Sequence, residues 1–324
     1  MKSVGMMKKV SVVASLLAVF FMFSAGYAKE LQPLKVSYLP IIDLLQLYVG
    51  WEKGFFEEEG LKVEGQATSG GAVNQTLVES GSVDLGWTAV VPLSQAYVKG
   101  FEFAFIAPGG FNDRTNRSTV ALVKKGSSIQ SVKDLAGKKI AVNGIQSVNH
   151  LSVLTIADFF KVDLKSLKFM EVNFPMQPAA IKEGAVDAAS LNQPFLAVAE
   201  SEGVARQLYP GFFPPEIAER YMISSWFARK SSLAKNREKI GAFLKAINKS
   251  TDFINRNPNQ LPEIIAKYTK MDVNLVRKVT LPKFFTKVLK KDIQVQIDLC
   301  AKYGFIQKGF DAKEIVATDL IPLE

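Results

Sequence analysis

The sequence predicts an α/β chain folded as two similar lobes with a cleft between them, and three observations carry that reading. A weak repeat returns at an offset of 103 to 104 residues, in three places and in the same order. Both copies alternate short apolar runs with helical stretches, the pattern of parallel or mixed sheets covered by helices and joined by right-handed crossovers. About 296 residues remain once a removable N-terminus is set aside, a length that suggests two domains. The period is far too long for a solenoid.

From the start of the chain, Lys2, Lys8 and Lys9 precede an apolar run over residues 10–23, interrupted only by Ser11 and Ser15, and the small residues Gly26 and Ala28 flank a suitable cut site. That is the pattern of a cleavable signal peptide over residues 1–28. The run has 14 residues, fewer than the roughly 20 that cross a bilayer as a helix, and no comparable run follows. A soluble, periplasmic mature chain is expected. Three lysines and no acid leave with the leader, so the net charge falls from +9 to +6. Cys300 is the only cysteine; it cannot close an internal disulfide, and no cysteine stands at the cut site to carry a lipid. Stability must therefore come from core packing.

Residues 36–39 read as a short strand leading into a helix that ends near Phe55-Phe56-Glu57, and residues 140–142 lead likewise into a helix ending near Phe159-Phe160-Lys161. Each helix feeds another strand, residues 61–64 and 167–172. The segment VESGSVDL (78–85) then matches IKEGAVDA (181–188), with the glycine and the Val-Asp pair at identical spacing. Each copy reads as a helix stopped by a glycine at positive φ, a turn closed by Asp, and a buried strand. Farther on, RYMISSWFAR (220–229) is β-rich, and helices are expected at residues 237–255, 261–268, 273–279 and 292–303, the last stopped by Gly304. Short connections near residues 117–120 and 222–227 let the chain cross and return. Lobe one is then residues 31–118 plus 226–324, and lobe two residues 119–225.

Several blocks are familiar as a set: Leu39-Pro40, then WEKGFFEEEGL (51–61), GSVDLG (81–86) and VKDLAGKKIAV (132–142). In order and spacing the chain resembles, over roughly residues 34–310, the ABC-importer solute-binding proteins for nitrate, sulfonates, taurine and thiamine pyrimidine precursors. The resemblance implies a two-lobed periplasmic-binding-protein fold, type II-like with two interlobe crossings, that closes on one ligand in the interlobe cleft. It also implies a small-molecule solute and an ABC permease in the membrane as partners, a monomer, and no cofactor.

The cleft can be located without the resemblance, because ligands of open α/β sheets sit beyond the carboxyl ends of the strands. The repeat marks those loops twice: residues 40–46, 66–71 and 87–92 in one lobe, and 143–150, 173–178 and 192–195 in the other. They supply the candidate contacts Pro40, Ile41, Asp43, Gln46, Ser69, Gly70, Trp87 and Thr88 on one side. On the other side stand Gln146, Ser147, Asn149, His150, Pro175, Met176, Asn192 and Gln193, with Trp226 at the return crossing. Ser69, Thr88 and Ser147 would leave backbone N–H groups open to a ligand oxygen, but they are also ordinary N-cap residues. Gly70 serves a turn equally well, and Trp87 and Trp226 serve a packed core. A wall of amide, hydroxyl and apolar groups, joined by Phe174, Gln177 and Phe195, suits a small organic molecule with an aromatic or apolar body and a carboxylate or sulfonate better than bare nitrate. Arginine is scarce near these loops; only Arg114 and Arg117, beside the first crossing, offer a guanidinium to an oxyanion.

Other classes fit less well. His150 is the only histidine, so a metal site of two or three histidines is impossible and any histidine relay rests on that one ring. Relatives of this fold that make a pyrimidine carry a cysteine-rich motif, which this chain lacks, and neither a G-x-S-x-G elbow nor a phosphate-binding P-loop occurs. Asp43 remains as a lone candidate base, which keeps open an enzyme of the same fold acting on a pyrimidine or an aromatic acid. A ligand-binding subunit of a membrane sensor would look the same. The lysines at 267, 270, 278, 283, 287, 290 and 291 are interleaved with Asp272 and Asp292, the mark of a solvated face rather than of a nucleic-acid surface.

Overall fold

The computed structural model describes residues 30–113 and 119–324. The signal peptide assigned to residues 1–28, together with Arg114 and Arg117, lies outside the described residues.

The first sheet contains β1 (Gln32–Tyr38), β2 (Leu61–Ala67), β3 (Leu85–Ala89), β4 (Phe103–Pro108) and a late strand, β12 (Ser224–Arg229), in the order β2-β1-β3-β12-β4. Strand β1 runs parallel to β2 and β3, while β12 is antiparallel to both its neighbours. The second sheet contains β6 (Thr119–Lys124), β7 (Lys139–Val142), β8 (Lys168–Glu171), β9 (Ala188–Asn192) and β10 (Ala205–Pro210), in the order β10-β6-β9-β7-β8. Its parallel core β8-β7-β9 matches β2-β1-β3, and β6 is the antiparallel insert that β12 provides in the first sheet. Each insert is the first long strand after a crossing between the lobes. The repeat read from the sequence is therefore a repeat of sheet topology.

The same residues do the same work in both copies. Helix α3 (Gly71–Ser80) ends on Gly81 at φ 76°, and α6 (Gln177–Glu183) ends on Gly184 at φ 78°; a side chain at either position would strain that left-handed backbone. Three residues on, the Asp84 carboxylate accepts from the Lys35 backbone N–H at 2.8 Å, and the Asp187 carboxylate accepts from that of Lys139 at 2.8 Å. Each aspartate so ties the turn to the middle strand of its sheet's parallel core, β1 or β7.

Helix α1 (Leu45–Lys53) stops at Gly54, φ 71°, before the single turn α2 (Phe55–Glu58), so the helix expected to run into Phe55 is broken there. The break turns Phe56 inward onto Phe243 (ring centroids 5.5 Å apart). Helix α4 (Val90–Val98) follows β3, and helices α5 (Val148–Phe159) and α7 (Phe195–Ser201) cover the second sheet. After the short α8 (Lys230–Leu233), helix α9 (Arg237–Arg256) buries Ile240, Phe243, Ile247 and Ile254 on one face, at helical spacing. Helices α10 (Leu261–Thr269), α11 (Val273–Val276) and α12 (Lys290–Lys302) complete the largely helical C-terminal region; the third expected helix shrinks to one turn.

The crossings form a small sheet of their own, in which β5 (Gly110–Asp113) lies between β11 (Arg220–Met222) and β13 (Lys283–Phe284). Helix α12 clamps the return strand: Arg220 forms a two-pronged ion pair with the fully buried Asp292, and Gln296 Nε2 donates to the Met222 carbonyl at 2.6 Å. Just beyond the far end of α12, Tyr303 donates to Asp158 of α5 at 3.0 Å. Among the described residues no helix is long and apolar enough to cross a membrane.

Candidate ligand-binding cleft

The carboxyl ends of the parallel strands of both sheets converge on one cleft. Its larger chamber, about 210 Å³, is walled by Leu39, Pro40, Ile41, Thr68 and Ser69 from the first lobe and by Asn143, Asn173, Phe174, Pro175 and Phe195 from the second. A smaller chamber of about 60 Å³ shares Leu39, Ile41, Asn143 and Phe174 with it and adds Asp43, Gly71, Trp87, Ala89, Pro92, Ser147, Val148, Asn149, Asn192 and Ile223. The internal repeat is visible in this list. Leu39 and Asn143 hold equivalent positions, as do Asp43 and Ser147, and Ala89 and Asn192.

Local structure explains how each wall is built. Strand β1 ends before Leu39, and a 3-10 turn at Ile42–Leu44 carries Asp43 inward ahead of α1. Glycine is required at position 71, where a Cβ would lie 2.5 Å from Thr88 Oγ1, so the start of α3 rests directly on the end of β3. Asn74 on α3 locks that contact, donating to the Trp87 carbonyl at 2.6 Å and accepting from Thr68 Oγ1 at 2.6 Å. In the second lobe Ser147 caps α5 by accepting from the His150 backbone N–H, and Asn149 Nδ2 donates to Ser190 and, at 2.8 Å, to Asn192 Oδ1. Gln95 Nε2 donates across the lobes to the Gln146 carbonyl at 3.0 Å.

Three buried side-chain atoms of the lining residues find no hydrogen-bond partner among the described residues: Asp43 Oδ1, Trp87 Nε1 and Asn143 Oδ1. Burial pushes the Asp43 carboxyl up to about 7, against a smaller lowering by its own backbone N–H. Among the described lining residues Asp43 is the only ionisable acid or base.

Of the contacts expected from sequence, Pro40, Ile41, Asp43, Ser69, Trp87, Ser147, Asn149, Pro175 and Asn192 line the chambers. Gly70 is the N-cap of α3, and Thr88 sits beneath Gly71 rather than in the wall. Gln46 turns away from the cleft into helix packing, where its amide donates to Thr251 of α9 at 2.7 Å. His150 faces Phe169 and Phe305 (4.0 and 5.1 Å between centroids); burial lowers its imidazole to about 4, and the neutral Nδ1 accepts from the Gln146 backbone N–H. Gln193 accepts from Ala197 at the start of α7, and Gln177 donates to the Val172 carbonyl. Met176 is exposed outside the wall, and Trp226 is core, edge-on to Phe243 at 5.1 Å. Asn143 lies in the expected cleft loop 143–150 without being singled out as a contact, and Asn74 and Ile223 lie outside every expected cleft loop. The 104-residue offset would have found Asn143 opposite Leu39, whereas Asn74 and Ile223 carry no signal readable from sequence.

A sequence profile of the family described as NMT1/THI5 like matches residues 42–261. The chain belongs to this family. Its relatives include a putative thiamine biosynthesis protein of Haemophilus influenzae, 26% identical over 89% of this chain and 92% of the relative, and a putative aliphatic sulfonates-binding protein of Bacillus subtilis, 23% identical over 97% and 96%. A 4-amino-5-hydroxymethyl-2-methylpyrimidine phosphate synthase of Aspergillus parasiticus is 24% identical over 65% of this chain and 63% of the enzyme. Among solved structures, the periplasmic aliphatic sulphonate binding protein SsuA from Escherichia coli superimposes with a TM-score of 0.74 (19% identity; 89% of this chain, 98% of the other). The periplasmic nitrate-binding protein NrtA from Synechocystis PCC 6803 gives 0.73 (14% identity; 90% and 88%). The fold of this NMT1/THI5-like chain is thus that of the two-lobed periplasmic binding proteins.

Within this NMT1/THI5-like cleft, Asn192 offers a direct check of the wall. Asn192→Ala removes one acceptor from Asn149, which keeps Ser190, so a stability loss of about 1 kcal/mol is expected. Solute affinity should fall at least several-fold while circular dichroism is unchanged; an unaltered affinity would take Asn192 out of the site.

Proposed function

We propose that this chain is the extracytoplasmic solute-binding component of an ABC importer and that it takes a small organic solute with an apolar or aromatic body by closing its two lobes. The observation that carries the reading is the cleft itself, whose buried polar atoms without partners among the described residues come from both lobes: Asp43 and Trp87 from one, Asn143 from the other. A solute touching both stabilises the closed form over the open one, which is the condition for ligand-driven closure. The moving bodies are residues 31–118 with 226–324, and residues 119–225, hinged at the crossings. The signal-peptide pattern of residues 1–28 and the names of the binding-protein relatives support a periplasmic protein that docks on a membrane permease.

Catalysis finds less support in the cleft. Cys300 is buried on α12 with its thiol raised to about 12, and His150 is packed between two phenylalanines, so neither a thiolate nor an imidazole reaches the chambers.

The test is thermal unfolding of the mature protein, stripped of carried-over ligand, against sulfonates, aromatic and aliphatic carboxylates, nitrate, amines and pyrimidines. A saturable upward shift, about 2.7 kcal/mol at a hundred times Kd, is expected for one class. A flat response across the panel would sink the binding-protein reading in favour of an enzyme or a sensor subunit.

A further inference from the structure

The charge of the cleft points to a solute different from the sulfonates and nitrate named for the relatives. Asp43 is 4% exposed, lines the smaller chamber, and has one carboxylate oxygen with no partner among the described residues. A buried acid of this kind is costly unless a donor or a positive charge meets it. No described Lys, Arg or His lines either chamber. Across the cleft, Asn143 offers a second buried acceptor oxygen without a partner among the described residues, and the Trp87 indole N–H is the one fully buried lining donor so left. A sulfonate, carboxylate or nitrate seated here would put its oxygens against the Asn143 amide oxygen and the Asp43 carboxyl, with no described cation in the wall to balance them.

We propose that Asp43 is the residue that selects the solute, and that the solute carries a cationic N–H head, an ammonium or amidinium, on an apolar body. The head lies in the smaller chamber and donates to Asp43 from one lobe and to Asn143 from the other. The body fills the larger chamber against Ile41, Phe174 and Phe195. Because the head bridges acceptors on both lobes, charge recognition and closure are one event. The inference rests on the binding-protein reading and adds the sign of the ligand to it.

The pH behaviour follows from the same group. In the empty protein Asp43 titrates near 7, so it is mostly protonated at pH 6 and mostly ionised at pH 8. Among the described residues the titratable group in electrostatic contact with it is the phenol of Tyr48 on α1, held well above its ordinary value by burial and so neutral throughout this range. Affinity for a permanently charged head should therefore rise about tenfold from pH 6 to pH 8.

The experiment is titration calorimetry on the mature, ligand-stripped protein with probes that share one body: benzamidine, benzylamine, benzoate and benzenesulfonate. Binding of benzamidine or benzylamine, tightening toward pH 8 and weakened at least thirtyfold with loss of the pH slope in Asp43→Asn, supports the proposal. Binding of the two anions in preference, or an Asp43→Asn variant that binds the cations as wild type does, overturns it and leaves the binding-protein reading standing. Heat from none of the four, together with a flat thermal response to the wider solute panel, overturns both. The wild-type pH profile needs no variant to fold.

Discussion

Asp43→Asn is expected to stabilise the ligand-free protein, and the gain should widen as the pH rises. The carboxyl is raised from 3.8 to about 7 by burial, so between those values the folded chain holds a proton that the unfolded chain has released. Stability contributed by the protonated form is complete below about pH 4 and is lost as the pH climbs through about 7. A shift of that size corresponds to roughly 4 kcal/mol at full ionisation, of which about 3 kcal/mol should appear between pH 5 and pH 8. The amide has nearly the same shape and no charge, so the difference between variant and wild type isolates this one group. Denaturant melts at pH 5, 6.5 and 8 read it directly; parallel stability curves for the two proteins would mean that Asp43 is not held neutral by its surroundings. If the variant is more stable and also binds worse, the buried acid is a feature kept for function at a cost in stability.

Arg220→Met carries the other large effect. Asp292 is fully buried, opens α12 by accepting from the Leu289 backbone N–H at 2.8 Å, and receives both prongs of the Arg220 guanidinium. The arginine is only half-buried, stacked over Phe111 and Phe285 at 5.4 and 4.9 Å, and the carboxylate keeps its charge well protonated. Removing it leaves an uncompensated carboxylate in the core, which costs about 3 kcal/mol, at the lower end for buried pairs because Arg220 keeps some contact with water. The double variant Arg220→Met, Asp292→Asn should recover most of that loss, since no buried charge is then left alone. A double variant no more stable than Arg220→Met would show that the pair contributes through something other than the stranded charge. The pair ties the return crossing to the C-terminal helix, so the same variants report how much the hinge sheet depends on α12.

Much of this was legible in the chain. Gly81 and Gly184 announce helix ends because a left-handed C-cap is a local backbone demand, and Asp84 and Asp187 follow because each turn must satisfy a nearby strand N–H. Those are short-range rules, and two copies of them in register were enough to predict two sheets of like topology. The loops around the cleft followed as well, since the ends of parallel strands are fixed once the strands are. The side chains within those loops did not follow. Gln46 and Asp43 lie three residues apart at the start of one helix, yet Asp43 lines the cleft and Gln46 bonds to Thr251, 205 residues later. His150 and Asn149 are adjacent on α5, and they face a phenylalanine pair and the cleft respectively.

The α/β class, the twofold repeat, the strand ends that frame the cleft, and the family resemblance were all readable along the chain, because each depends on propensity, pattern and spacing within one segment. That Trp226 is core, that His150 is shut away as a neutral ring, and that Asp43 is an acid titrating near neutrality with one oxygen unpartnered among the described residues came from packing alone. Burial and the partners of a polar atom depend on what distant segments pack around it, and neither is a property of the residue's neighbours in the chain.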